Sequence, residues 1–196
     1  MKQIVLTLGL LLAMNLSAQD IQLPKPVTSG GMPLMEALSN RTTHRNISDA
    51  ELDNQTLSNL LWAAWGFNRE DKRTAPSSQN KQVISLYVVL KDAAYLYDAK
   101  ENILRHVISG DIRKEVGKQD FVYTAPVNLV FVEDVTKKGA AEFDSGYISQ
   151  NIYLYCASAN LGTVVRGYFD SETTHKALKL TENQKAVLTQ TVGKIK

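Results

Sequence analysis

The stretch from Phe143 to Asn160 constrains this chain more than any other. Helical spacing puts Ile148, Ile152, Tyr155 and Ala159 on one stripe, with Tyr147, Asn151, Leu154 and Ser158 beside it. Apolar residues therefore reach nearly all round. A helix of that kind is either the core of a large domain or is covered by a partner subunit. Gly162 reads as its stop.

The other elements are arranged around it. Val127 to Val132 is an apolar run with turn signals on both sides, the mark of a strand buried on both faces at the sheet centre. Val83 to Leu90 is rich in β-formers. Tyr95 to Tyr97, the polar Asp98 to Asn102, and Ile103-Leu104 read as a meander, and Ala186 to Val192 alternates as a last strand. Upstream, Pro33 opens a short helix that ends near Asn40. A second helix is expected from Ser48, where Ser48-Asp49-Ala50-Glu51 fits a capping box, through Leu57, Leu60, Leu61 and Ala64 to Gly66. The polar stretch from Gly66 to Lys81 is a loop. Strands and helices mix without strict βαβ alternation, which favours an α+β fold over a doubly wound sheet.

Three units are expected along the chain. Residues 1–18 have the pattern of a cleaved signal peptide: Lys2, an apolar Ile4 to Met14, and Leu16-Ser17-Ala18 before Gln19-Asp20. Their apolar core is too short to span a bilayer, so the expectation is an exported, periplasmic protein without stable membrane insertion. Residues 19–32 form a surface arm containing much of the Pro/Gly/Ser segment from Leu23 to Pro33, and 33–196 form one domain. Net charge is +2, and Lys2 is the only charged residue in the leader. A near-neutral chain lacks the basic footprint that nucleic acid requires. The single cysteine, Cys156, cannot form an intramolecular disulfide and reads as packing.

Three segments could carry chemistry. Arg41-Thr42-Thr43-His44-Arg45 concentrates guanidiniums and hydroxyls suited to an anion, though a solvated basic loop has the same composition. Pro76-Ser77-Ser78-Gln79-Asn80-Lys81-Gln82 offers hydroxyls and amides just ahead of a strand, and a plain Ser/Asn turn would look alike. Leu161-Gly162-Thr163 to Arg166-Gly167 lets the backbone approach something flat, or is only a helix stop and a turn.

Their order and spacing resemble the nitroreductase family of flavoproteins, and within it short forms related to the SagB-type dehydrogenases. Arg41 to Ile47 is similar to that family's opening Arg-Arg-Ser-x-Arg-x-Phe pattern. Pro76 to Gln82 matches its Pro-Ser-Ser-x-Asn-x-Gln pattern in full. Ser149 to Leu154 resembles part of its long dimer-core helix, and Leu161-Gly162-Thr163 with Arg166-Gly167 resembles the Leu-Gly-Thr and final Gly beyond that helix. The likeness covers roughly residues 33 to 196.

The resemblance implies a central, mainly antiparallel sheet flanked by helices, an intertwined homodimer, and FMN at the subunit seam. Arg41 would grip the phosphate, with Thr42 and Thr43 near it, and Arg45 would face the N1 and O2 edge of the ring. Pro76, Ser77, Ser78 and Asn80 would reach across from the second subunit. Gly162, Arg166 and Gly167 would bring backbone N–H groups near the flavin, with the Arg166 side chain turned toward substrate, and Lys194 and Lys196 would add charge at the phosphate. No catalytic side chain and no metal site are assigned, because the flavin carries the chemistry.

NAD(P)H is the family's usual donor, and quinones or nitroaromatics are acceptors; an exported chain would need another donor. SagB-like oxidation of a substrate and a flavin-binding or ligand-binding dimer without turnover are the alternatives. Thr42 and Thr43 stand where the family often has a basic residue and Ser, and Ile47 stands for Phe. The helical insertion that covers the flavin in larger members is not expected here. His44 and His175 read as surface histidines, and His106 sits in a strand.

Overall fold

A computed structural model describes residues 19–196, so the expected signal segment lies outside the described residues. In chain order the elements are β1 (Ile21–Gln22), α1 (Leu34–Asn40), α2 (Asn54–Trp65), β2 (Ile84–Val89), β3 (Ala93–Asp98), β4 (Ile103–Ser109), α3 (Asp120–Thr124), β5 (Val127–Asp134), α4 (Ala141–Ser158), β6 (Leu161–Arg166), α5 (Ser171–Ala177) and β7 (Gln184–Lys194). Short 3-10 turns lie at Ser78–Asn80 and Arg113–Val116. The strands form one sheet in the order β1-β4-β3-β2-β5-β7-β6, with every neighbouring pair antiparallel. No helix among the described residues is long and apolar enough to cross a membrane.

The sheet is covered on both faces, which explains the composition of β5. Leu129 and Phe131 point to one side, into a core with Leu57, Leu60 and Leu61 of α2 and Ile148, Ile152 and Cys156 of α4. Val130 and Val132 point to the other side, among Val116, Val122, Leu178 and Leu180. Alternate residues of one strand thus serve two cores. β5 lies beside β2, which occupies the middle position of the sheet. Asn128 is the polar exception within β5. It is fully buried, donates to Val122 O at 2.9 Å, and accepts from Thr191 Oγ1 at 2.6 Å. Its polarity is therefore matched at both ends of the amide.

Four local expectations are corrected. The second helix starts at Asn54, capped by Asp53, whose carboxylate accepts from Thr56 N and Thr56 Oγ1, both at 2.8 Å. Ser48 does not open it: its hydroxyl accepts from Ala50 N at 3.1 Å in a local turn, while its N–H bonds to Lys194 O at 2.8 Å and Ile47 bridges Ile195. Gly162 does not close α4; Asn160, at φ 54°, makes the reversal, and Gly162 is already inside β6. Local pattern hid β6, whose ladder partners in β7 lie far along the chain. The arm at 19–32 is also stitched down: Ile21–Gln22 pairs with β4 and Leu23 is buried.

Candidate functional site

Three segments distant in sequence meet at one corner of the sheet. The Arg41–Arg45 loop comes directly after α1, which packs on α4 and is tied to its end by Met32 N donating to Ser158 Oγ at 2.8 Å. Backbone bonds then fix the loop on the strands: His44 N donates to Thr163 O at 3.0 Å, and Lys196 N donates to Asn46 O at 3.1 Å. The fit leaves no room for side chains between the pieces. A Cβ on Gly193 would stand 2.6 Å from Ile47 and 2.8 Å from Pro126, and one on Gly162 would stand 3.1 Å from His44 Cβ.

Tyr153 of α4 is the side-chain anchor of this corner, and sequence reasoning gave it no role. Its hydroxyl lies 3.1 Å from Thr43 Oγ1 and accepts from Val165 N at 3.1 Å, and the Arg41 guanidinium sits 5.3 Å from its ring centroid. A tyrosine, with its apolar body and polar tip, in the middle of a long helix is the signal that could have found it. With the backbone doing the fastening, the cations stay available. Among the described residues Arg41, Arg45, Lys194 and Lys196 form no ion pair with a carboxylate, and Arg45 and both lysines are exposed. Lys194 also borders a groove of about 440 Å³ with Asp53, Thr56 and Asn160.

The Pro76–Gln82 loop lies elsewhere. It is tied to the other half of α4, where Ser78 N donates to the buried Asp144 carboxylate at 2.9 Å. Asp144 and Tyr153 are nine residues apart, about 13.5 Å along a helix. Within one protomer the two loops therefore meet opposite halves of the same helix.

At the far end of β6 from Gly162, Gly167 is exposed. The Arg166 side chain does not turn toward solvent as expected. It is buried, donating to Val116 O at 3.1 Å and Asn128 Oδ1 at 3.3 Å, and burial pushes its guanidinium down to about 10. Strand alternation aims it into the sheet face opposite α4, so it cannot reach a substrate beside Gly167. Between β4 and β5 only residues 110–126 intervene, carrying a 3-10 turn and the five-residue α3, so no long helical cover is present there. Cys156 is buried and burial pushes its thiol up, which fits packing. A cavity of about 410 Å³ lined by Leu52, Leu57, Leu90, Tyr95 and Arg113 contains none of the candidate residues.

Comparison with known proteins agrees with this architecture. The model of the family described as "Nitroreductase family" matches residues 38–194. A Methanocaldococcus jannaschii protein described as a nitroreductase is 27% identical over 183 residues, spanning 83% of this chain and 91% of that one. A crystal structure of a Ralstonia eutropha protein described in the same way superposes with a TM-score of 0.85 at 37% identity, covering 94% of this chain and 93% of the other. A chain of the Escherichia coli microcin synthetase complex has the same fold at TM-score 0.68 and 16% identity, over 100% of this chain and 85% of that one. With a two-faced antiparallel sheet, an apolar α4 and both polar loops on the matched stretch, the chain belongs to the nitroreductase family.

Proposed function

We propose that the protein is an FMN-dependent oxidoreductase working as a homodimer, with each flavin held between the Arg41–Arg45 loop of one protomer and the Pro76–Asn80 loop of its partner. The observation that carries this reading is the corner where His44 is bonded to Thr163, and the adjoining Asn46 and Ser48 to Lys196 and Lys194, while the cations stay unpaired. Unpaired guanidiniums and ammoniums at a rigid corner fit a phosphate.

The homodimer is supported by the surface of α1 and α4. Leu34, Met35 and Leu38 of α1 and Phe143 and Tyr147 of α4 are exposed, Met35 at 77% and Phe143 at 72%. Large apolar groups clustered on two packed helices mark an interaction surface. A two-fold axis that sets two copies of α4 antiparallel brings the Asp144 half of one beside the Tyr153 half of the other. That arrangement completes the site with Pro76, Ser77, Ser78 and Asn80 of the partner subunit.

Bound FMN would supply two-electron redox chemistry between a donor and an electron-poor acceptor such as a quinone or nitroaromatic. The chain's own groups bind and tune. Arg41 and Lys196 hold the phosphate, with Lys194 at its edge, and Thr42 and Thr43 meet the phosphate and ribityl chain. Arg45 would hold the N1 and O2 edge, where a cation would favour the negative charge that reduction brings. The Gly167 backbone N–H would be offered to N5, and the short 110–126 segment would leave the acceptor side open. NAD(P)H serves as donor where it is present, and for an exported chain a quinol or partner protein takes that place.

The test is to purify the protein, record its visible spectrum and mass, and mix it with NADH, NADPH or a quinol in a stopped-flow instrument. A yellow dimer that bleaches with one donor and recovers with a quinone is expected. A colourless protein that ignores added FMN contradicts the reading. N-terminal sequencing of the cell-fractionated protein checks export, which predicts a chain beginning at Gln19.

A further inference from the structure

The Pro76–Gln82 loop is strained in a way its backbone alone does not support. Gln79, Asn80 and Gln82 have φ of 50°, 55° and 48°, left-handed values that side-chain-bearing residues adopt only at a cost in free energy. Such residues persist where surrounding contacts over-determine them. Here Asn80 N donates to Ser77 O at 3.0 Å, and Gln82 N donates to Ser77 Oγ at 3.1 Å. Beyond these, a chain of side chains runs out of the loop to a residue the sequence pattern does not include.

That residue is Arg73. Its guanidinium lies 4.5 Å from the Trp65 ring centroid and 4.3 Å from that of Phe67, and Nη1 donates to Trp65 O at 2.6 Å. Its Nε donates to Gln82 Oε1 at 2.8 Å. Gln82 Nε2 in turn donates to Asn80 Oδ1 at 3.0 Å and to Asp71 O at 2.8 Å, and Asn80 Nδ2 donates to Asp71 O at 3.2 Å. Arginine has donors only. The oxygen of Gln82 must therefore face Arg73, its NH2 must face Asn80, and the oxygen of Asn80 must face Gln82. The donor-only Arg73 and the acceptor-only Asp71 carbonyl thus agree on one direction for two amides that could otherwise flip.

We propose that Arg73 and Gln82 are positioning residues that fix the amide polarity of Asn80, and so decide which of its donors and acceptors is offered to the flavin. The inference rests on the flavin reading for its consequence, and on the hydrogen-bond chain alone for its geometry. It also gives the terminal Gln of the Pro-Ser-Ser-x-Asn-x-Gln pattern a physical role, since Gln82 need not touch the cofactor to matter for it.

Gln82→Glu tests this in the full-length dimer. The carboxylate keeps the size of the side chain and its bond to Arg73, but its second oxygen cannot donate, so it stands acceptor against acceptor toward both Asn80 Oδ1 and Asp71 O, and Asn80 can satisfy it only by flipping and giving up its own bond to Asp71 O. FMN affinity, measured by fluorescence titration, is expected to fall about tenfold in the Asn80 background, as for one lost buried hydrogen bond. In an Asn80→Ala background the same change is expected to cost less than about twofold, because coupled residues are not additive. In FMN-free protein, hydrogen exchange of the Asn80 side-chain NH2 is expected to quicken about tenfold in Gln82→Glu. Equal losses with and without Asn80, an undiminished FMN affinity, or an unchanged Asn80 exchange rate would each overturn the relay. Failure of the unsubstituted chain to bind FMN would strike the flavin reading alone, and the exchange rate would still decide the relay.

Discussion

The Arg41–Arg45 loop is held by its backbone, and the Pro76–Gln82 loop is held by its side chains. In the first, N–H and C=O groups bond to β6 and the C-terminal end, leaving the cations of the loop unpaired. In the second, Ser77, Asn80 and Gln82 spend their side-chain groups on one another, on Asp71 and on Arg73. On the proposed reading, the difference divides the labour of one site between two loops. A loop whose cations are unpaired suits a phosphate, where attraction matters more than direction. A rigid, strained loop suits a ring edge, where the direction of each donor matters more than charge.

Substitutions that separate holding from binding can break this contrast. The largest effect is expected from Arg41→Ala, which should lower FMN affinity by about ten- to a hundredfold, the value of a charge-assisted hydrogen bond to phosphate. Because the loop is fastened by backbone, unfolding free energy should change by less than about 0.5 kcal/mol. Urea denaturation and flavin titration on the same samples check both halves.

Gly193→Ala attacks the fastening instead. The new Cβ would meet Ile47 at 2.6 Å and Pro126 at 2.8 Å, so a stability loss of about 1–3 kcal/mol is expected, with flavin affinity falling because the loop is displaced. A stable variant with normal flavin affinity would show that the corner is looser than its contacts suggest. Tyr153→Phe should have the smallest effect. It removes the hydroxyl shared by Thr43 and the Val165 N–H, costing about 1 kcal/mol in denaturant unfolding, and affinity should change only weakly.

The sequence made the elements with strong period legible and hid those defined by distant partners. Strand β5 was visible because burial on both faces forces continuous apolarity, and helix α4 because its apolar residues recur at helical spacing over a long stretch. Strand β6 was not, since its pairing with β7 is a long-range event that leaves no local pattern. The same reason misplaced the start of α2: Ser48 looks like a cap, but its hydroxyl serves a local turn and its N–H bonds to the chain end. At the site, both polar loops were recognisable by resemblance to a family pattern, and residue type suggested their chemistry. Tyr153, Asp144 and Arg73 escaped because their roles lie in what they touch. Arg166 misled, since an arginine beside an exposed glycine reads as a surface group, whereas strand alternation turns it into the interior.

The central claim is that each flavin takes one loop from each subunit, and mixed dimers test it most directly. Arg41→Ala and Asn80→Ala homodimers should both hold FMN weakly. When the two variants are co-expressed with different tags and the heterodimer is isolated, one of its two sites combines both damaged loops and the other combines both intact ones. The account predicts one tightly bound FMN per heterodimer by titration, with reduction by donor restored at that site. A heterodimer that binds FMN no better than its parents would mean that both loops serve the same protomer's flavin, and would contradict the account.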